Sequence, residues 1–290
     1  MSIPRIAPYP MPKALPEGRA TWSLSASRAA LLVHDMQQYF VDFFDATQPP
    51  VPALLQHCAQ LISHCRQLGV PVIYTAQPGA QNPADRALLT DFWGAGLADR
   101  SEMTRIVAAL APQEGDIVLT KWRYSAFKRS DLEAQLRAMG RDQLLICGVY
   151  AHIGCLMTAA EAFMLDVQPF MVGDALADFS AEEHEMALHY AADRCARVCS
   201  TAAALASLQA PKLSLAALRT EVAEQIGMAP ALLADDDDLL LMGLDSVRLM
   251  SLMERWKLRG LRAEFAELAE NPTLHGWLAC LSGAAATEAA

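Results

Sequence analysis

Between Arg28 and Ala210, short uninterrupted apolar runs alternate with longer segments of helical periodicity, and few folds accommodate that rhythm. The runs Ala29–Val33, Val70–Ala76, Ile117–Lys121, Gln143–Val149, Gln168–Val172 and Ala196–Cys199 lack the polar alternation of a one-sided sheet, so they read as strands buried on both faces. Segments between them, such as Val51–Leu68 and Leu132–Gly140, repeat apolar residues at helical spacing and terminate at glycine. Strand, helix, strand in succession builds a parallel sheet with helices on both sides. The expectation is a three-layer α/β/α sandwich over residues 1–208, with ligands bound beyond the carboxyl ends of its strands.

The pattern changes after Leu208. Residues 209–213 form a brief linker around Pro211, and residues 214–283 offer no strand candidate. They carry amphipathic patterns at Leu215–Ile226, Ser246–Arg259 and Ala263–Ala269 and a short element at Thr273–Ser282. About seventy residues suffice for a small all-α four-helix domain. Residues 284–290 read as a disordered tail.

Composition excludes several classes. With 53% apolar and 19% charged residues the chain is globular, and no apolar stretch approaches the roughly 18 residues of a membrane span. The N-terminus is punctuated by prolines and has no apolar signal region, which predicts a cytoplasmic protein. Seven scattered cysteines without a C-x-x-C pair read as reduced, mostly buried thiols. The net charge of -10 is shared, 16 basic against 21 acidic residues up to Ala210 and 7 against 12 beyond it. Neither part has the basic face of a nucleic-acid binder.

The chemistry gathers at strand ends. The first strand opens into His34-Asp35-Met36-Gln37, the second into Gln77-Pro78, the third into Lys121-Trp122, and the fourth into Tyr150-Ala151-His152-Ile153-Gly154-Cys155. Singly, Asp35 can cap a helix, Lys121 can snorkel, Cys155 can pack and His152 can satisfy a loop carbonyl. An acid, an amide, an amine and a thiol at corresponding ends of parallel strands are hard to explain by packing.

The runs Leu32–Gln37 with Tyr39–Val41, Tyr74–Pro78, Phe92–Gly94, Thr120–Phe127 and Gly148–Cys155 together resemble the isochorismatases of the cysteine-hydrolase-like superfamily. The resemblance spans residues 1–208. It implies hydrolysis of the enolpyruvyl ether of isochorismate to 2,3-dihydro-2,3-dihydroxybenzoate and pyruvate, without a metal or other cofactor. It also implies Asp35 and Lys121 as the catalytic pair, Gln77 and Arg86 as carboxylate binders, and Trp93, Tyr124 and Tyr150 as aromatic walls, with Cys155 beside the substrate. The chemistry fits these residue types. A vinyl ether is cleaved by protonating its terminal carbon, so an acid is needed, and burial of Asp35 is expected to raise its pKa. Lys121 pulls the other way, so orienting Asp35 and binding substrate oxygen are its expected tasks.

A competing enzyme reading takes Cys155 as the thiolate of an amidohydrolase flanked by Asp35 and Lys121. The Asp-x-His metal motif of the nicotinamide hydrolases is not found in Gln77-Pro78-Gly79-Ala80. A non-enzymatic reading makes the α/β domain a degenerate scaffold, against which Asp35, Gln77, Arg86 and Lys121 stand together.

In the second region an acidic run, Asp235–Asp238, leads into Gly243-Leu244-Asp245-Ser246 and then an amphipathic helix. Part of this is a capped helix with Asp245 or Ser246 as N-cap and Leu249, Met250 and Met253 buried. The four residues also resemble the phosphopantetheine attachment motif of carrier proteins. That resemblance implies 4'-phosphopantetheine on Ser246, installed by a phosphopantetheinyl transferase with Asp245 holding Mg. The whole chain is similar to two-domain isochorismatase and aryl carrier proteins of catechol siderophore synthesis. Partners so implied are a 2,3-dihydroxybenzoate-activating adenylating ligase and a condensation-domain synthetase, docking near Leu244, Arg248 and Met250. A homodimer through the α/β domain is implied as well.

Overall fold

The computed structural model describes residues 3–209, 213–258, 261 and 263–283. The chain divides into two compact units, Met1–Leu208 and Gln209–Ala290. The tail expected over 284–290 and residues 210–212 of the expected linker lie outside the described residues.

The first unit is a six-stranded sheet of β1 (Ala29–His34), β2 (Val72–Ala76), β3 (Ile117–Thr120), β4 (Gln143–Val149), β5 (Gln168–Ala177) and β6 (Arg197–Cys199). The order is β3-β2-β1-β4-β5-β6 with parallel pairing throughout. Its main helices are α1 (Val51–Gln67), α2 (Leu132–Ala138), α3 (Leu156–Met164), α4 (Ala181–Arg194) and α5 (Thr201–Leu208). Alternate residues of β1 feed opposite cores. Leu31 and Val33 pack with Leu54, Leu61 and Ala204 of α1 and α5, whereas Ala30 and Leu32 pack with Leu136, Ala159 and Leu188 of α2, α3 and α4. This is the expected three-layer sandwich. Each fully buried leucine of β1 contributes about 1.5–3 kcal/mol. The strand order reverses between β1 and β4, so their following loops part and a cleft opens there.

Three strand expectations need correction. β2 begins at Val72 because Pro71, without an N–H, cannot join the ladder. β3 is an edge strand, with Val118 52% exposed, and is not covered on both faces. β5 runs five residues beyond the apolar run, through Gly173. A Cβ there would come within 2.5 Å of the Leu15 side chain, so glycine lets the N-terminal segment approach. The longer β5, with a register shift against β4 between Ile146 and Gly148, delivers Asp178 and Phe179 to the cleft.

The second unit consists of α6 (Leu215–Ile226), α7 (Ser246–Leu258), α8 (Phe265–Glu270) and α9 (Leu274–Gly283). Ser214 caps α6 by accepting the Ala217 N–H at 3.1 Å, and Gly227 ends it in the left-handed conformation. Helix α8 starts two residues after the expected Ala263, where Glu264 and Glu267 form a reciprocal capping box. The core joins Leu218, Val222, Leu249 and Leu252 to Trp256 and Trp277, whose rings meet edge to face at 5.7 Å. Both indole N–H groups are satisfied, by Glu221 and by the Leu268 carbonyl. Among the described residues no helix is long and apolar enough to cross a membrane.

Candidate active site

Asp35 follows the last residue of β1 with φ of 49°, a left-handed conformation that aspartate tolerates better than most residues. Its N–H donates to Thr75 Oγ1 at 3.0 Å, and that hydroxyl donates to Asp35 Oδ1 at 2.7 Å. Oδ2 accepts from Lys121 Nζ at 2.8 Å and from Gln77 Nε2 at 3.2 Å. Gln37 braces the frame, donating to the Gln77 carbonyl at 2.9 Å and accepting the Gln77 N–H at 2.7 Å. Three neighbouring strand ends thus converge on one carboxylate, with Asp35 4% and Lys121 3% exposed.

The direction of the Asp35 pKa overturns the expectation of a raised value. Burial pushes the carboxyl up, but the Lys121 ammonium, His34 and the hydrogen bonds from Lys121 and Thr75 outweigh it and hold the group below the usual carboxylate range. In the free protein Asp35 is therefore a carboxylate. His34, fully buried, is pushed down to about 4, chiefly by desolvation, and is neutral at pH 7. Its Nδ1 donates to the Val149 carbonyl at 2.8 Å, which leaves Nε2 as an unprotonated lone pair.

A cavity opens over this pair, bounded by Trp93, Tyr124, Tyr150 and Phe179. Trp93 Nε1 donates to the Tyr124 hydroxyl at 2.8 Å, and the Tyr150 hydroxyl donates to the Phe40 carbonyl at 2.7 Å, fixing the rings. Phe179 meets Tyr150 at 4.6 Å and Trp93 at 6.0 Å between centroids. Arg86 also lines the cavity, buried, held by the carbonyls of Gly94 at 2.5 Å and Trp93 at 3.5 Å and by Gln81 Oε1 at 3.3 Å. Among the described residues no carboxylate lies within ion-pair distance of its guanidinium, which leaves a buried cation ready for an anionic guest.

Cys155 is the site residue misplaced by sequence reasoning. It is fully buried in the core beneath α3, does not line the cavity, and has its thiol pushed well above the usual range by desolvation. The residues of that turn lining the cavity are Ile153 and Gly154. A Cβ on Gly154 would lie 2.1 Å from the His34 ring, so the π-helical turn Ala151–Cys155 can carry no side chain at that position. A thiolate amidohydrolase is thereby disfavoured. His152 also lies off the cavity, its N–H and Nδ1 both 2.6 Å from the Asp178 carboxylate. Glu183 completes a His–Asp–Glu cluster there, but both Asp178 oxygens are occupied by His152.

Sequence reasoning missed His34, Tyr39, Phe40, Phe179 and Ile3, all of which line the cavity. His34 and Phe40 lie inside the motif that located Asp35 and could have been found there. Phe179 follows the unrecognised half of β5, and Ile3 belongs to a segment with no periodic signal.

In the helical unit Asp245 caps α7, accepting the Arg248 N–H at 2.9 Å. Ser246 opens the helix, exposed and with its hydroxyl unpartnered among the described residues, beside exposed Val247 and Met250. The Ser246 hydroxyl thus stands free at a helix start, three residues after Gly243, whose φ is 102° and which has open space around it. Of the expected docking residues, Met250 and Arg248 are exposed, which removes Met250 from the expected buried stripe of α7, but Leu244 is 1% exposed and belongs to the core.

Residues 29–203 match the isochorismatase domain family, well over half of the chain. The chain belongs to the isochorismatase family. Residues 216–281 of this family member also match the phosphopantetheine attachment site family. It is 51% identical to the isochorismatase of Bacillus subtilis (strain 168), covering 96% of this chain and 94% of that one. Enterobactin synthase component B of Escherichia coli (strain K12) is 47% identical, covering 97% and 99%. A cysteine hydrolase from Pseudomonas syringae pv. phaseolicola 1448A, 24% identical with a TM-score of 0.60, covers 67% of this chain and 97% of its own, and shares the isochorismatase fold.

Proposed function

We propose that the chain is a bifunctional isochorismatase and aryl carrier protein of catechol siderophore synthesis. The observation that carries the catalytic half is the Asp35 carboxylate clasped by Lys121 and Gln77 under an aromatic cavity that also holds the unpaired Arg86 cation.

Isochorismate is a dianion. Arg86 and Gln77 bind its carboxylates, and the negative charge it brings beside Asp35 raises that group's pKa, so a proton enters with the substrate. Asp35 donates this proton to the terminal methylene carbon of the enol ether. The new C–H bond uses the alkene electrons and leaves an oxocarbenium ion at the adjacent carbon. Proton loss restores the Asp35–Lys121 ion pair, which makes Asp35 a stronger acid in the step that matters. Water adds to the cation and yields a proton to Asp35. The hemiketal then breaks its bond to the ring oxygen, which takes the proton from Asp35 while the hemiketal hydroxyl gives its own proton back to that carboxylate and its oxygen becomes the ketone of pyruvate, releasing 2,3-dihydro-2,3-dihydroxybenzoate. Trp93, Tyr124 and Tyr150 exclude bulk water and offer π faces to the cation.

In the carrier half Ser246 is the attachment residue for 4'-phosphopantetheine, with Asp245 beside it available for the Mg of the transferase step. The bound arm supplies a thiol on which 2,3-dihydroxybenzoate is carried as a thioester. An adenylating ligase and a condensation-domain synthetase are its partners, with Met250 and Arg248 on the docking face; the protein acts in the cytoplasm as a homodimer. The test is pyruvate release from isochorismate by the wild-type chain, together with a mass gain on incubation with coenzyme A, Mg and a phosphopantetheinyl transferase. The gain is expected to disappear in Ser246→Ala while pyruvate release persists. No pyruvate from the wild type would remove the catalytic half, and a gain persisting in Ser246→Ala would remove the attachment residue.

A further inference from the structure

The start of the chain forms part of the cavity wall. Ile3 lines the cavity and is buried in the same cluster as Phe40, Leu97 and Tyr150. The segment behind it is tied to the loop after β1: Arg5 donates to the Asp42 carbonyl at 3.3 Å, the Ile6 N–H to the Phe43 carbonyl at 2.9 Å, and the Tyr9 N–H to the Pro49 carbonyl at 3.1 Å. Tyr9 adds a second anchor at the end of β5. His184 Nε2 donates to the Gly173 carbonyl at 3.0 Å, so its Nδ1 is the lone pair that accepts the Tyr9 hydroxyl proton at 3.2 Å. The same hydroxyl accepts the Asp178 N–H at 2.7 Å, one residue before the cavity ring Phe179.

We infer that Ile3 is a specificity-determining residue that packs on the non-polar ring of the substrate, held in register by the Tyr9 latch. The inference rests on the reading of the cavity given above. Asp35, Lys121 and Arg86 supply the charged side of the cavity and account for the carboxylates of the guest. Its carbocyclic ring needs apolar contact, and Ile3 supplies aliphatic surface there together with Leu89, Leu97, Val149 and Ile153, beside the aromatic walls. The two anchors tie Ile3 to the ends of both β1 and β5, so its position depends on elements that frame the site and not on the terminus alone.

The test uses the full-length chain in steady-state pyruvate release, with thermal unfolding measured alongside. Ile3→Ala should raise KM about tenfold while kcat changes by less than about threefold, because a lost aliphatic contact to the ring weakens binding of substrate and transition state alike. Ile3→Glu should raise KM further, since it sets a carboxylate against a dianion. Tyr9→Phe should move KM in the same direction by a smaller factor. A purely structural role would lower the unfolding midpoint and leave KM unmoved. Wild-type KM in both Ile3 variants overturns the inference while leaving the cavity's activity intact. A wild-type chain that releases no pyruvate removes the reading beneath it and the inference with it.

Discussion

Lys121 Nζ stands 2.8 Å from Asp35 Oδ2, a buried ion pair that joins the ends of β1 and β3 across β2. Such a pair is costly to bury and costlier to break, since removing one partner strands the other charge at about 3–5 kcal/mol. Asp35→Asn should therefore lower the unfolding midpoint and cut pyruvate release by about 10²–10⁴-fold. Adding Lys121→Met should recover much of the lost stability and none of the activity. Thermal unfolding and a coupled pyruvate assay on the three proteins check both parts.

Because Asp35 is held below the ordinary carboxylate range in the free protein, productive binding must take up a proton. The value of kcat/KM should then fall as pH rises through the neutral range. Calorimetric titration with an unreactive dianionic ether, repeated in buffers of different ionisation heat, should report uptake of about one proton per site. A heat independent of buffer would mean that the acid is already charged with its proton before substrate arrives.

His34 sets a different pH limit. Its folded pKa of about 4 lies below the unfolded value of about 6.5. The unfolded chain thus binds more protons, and stability is lost as pH falls from about 6.5 towards about 4, by about 3 kcal/mol in all. Asp35 adds its own loss only at lower pH, as the medium passes below the unfolded aspartate value and then its depressed folded one. Denaturant midpoints of the α/β unit at pH 7 and pH 5 should differ for the wild type, and the difference should shrink in His34→Gln.

Gly154 and Cys155 should answer oppositely to the same added or lost carbon. Gly154→Ala drives a methyl group into the His34 ring and should abolish pyruvate release or the fold around it. Cys155→Ala removes only a buried thiol and should leave kcat within about twofold, at a stability cost of about 1 kcal/mol. Loss of turnover in Cys155→Ala would revive a sulfur-based mechanism.

The sheet, the two-unit division and the Asp35–Gln77–Lys121 cluster were legible because each rests on local pattern: a continuous apolar run, a break in periodicity, a polar residue where a strand ends. What escaped depends on distant neighbours. β5 continues through Gly173 because Leu15 occupies the space a side chain would need, and nothing near Gly173 in the chain announces that. The sign of the Asp35 shift is a contest between desolvation and Lys121, settled by a distance no sequence contains. The chemistry of a thiol points to Cys155, yet a π-helical turn decides which of two adjacent residues faces the cavity, and it is Gly154.

The Tyr9 latch also makes the cavity wall a long-range construction. Its hydroxyl meets an N–H 169 residues further along the chain, so the wall that carries Ile3 is complete only when β5 stands in the sheet with Asp178 at its end.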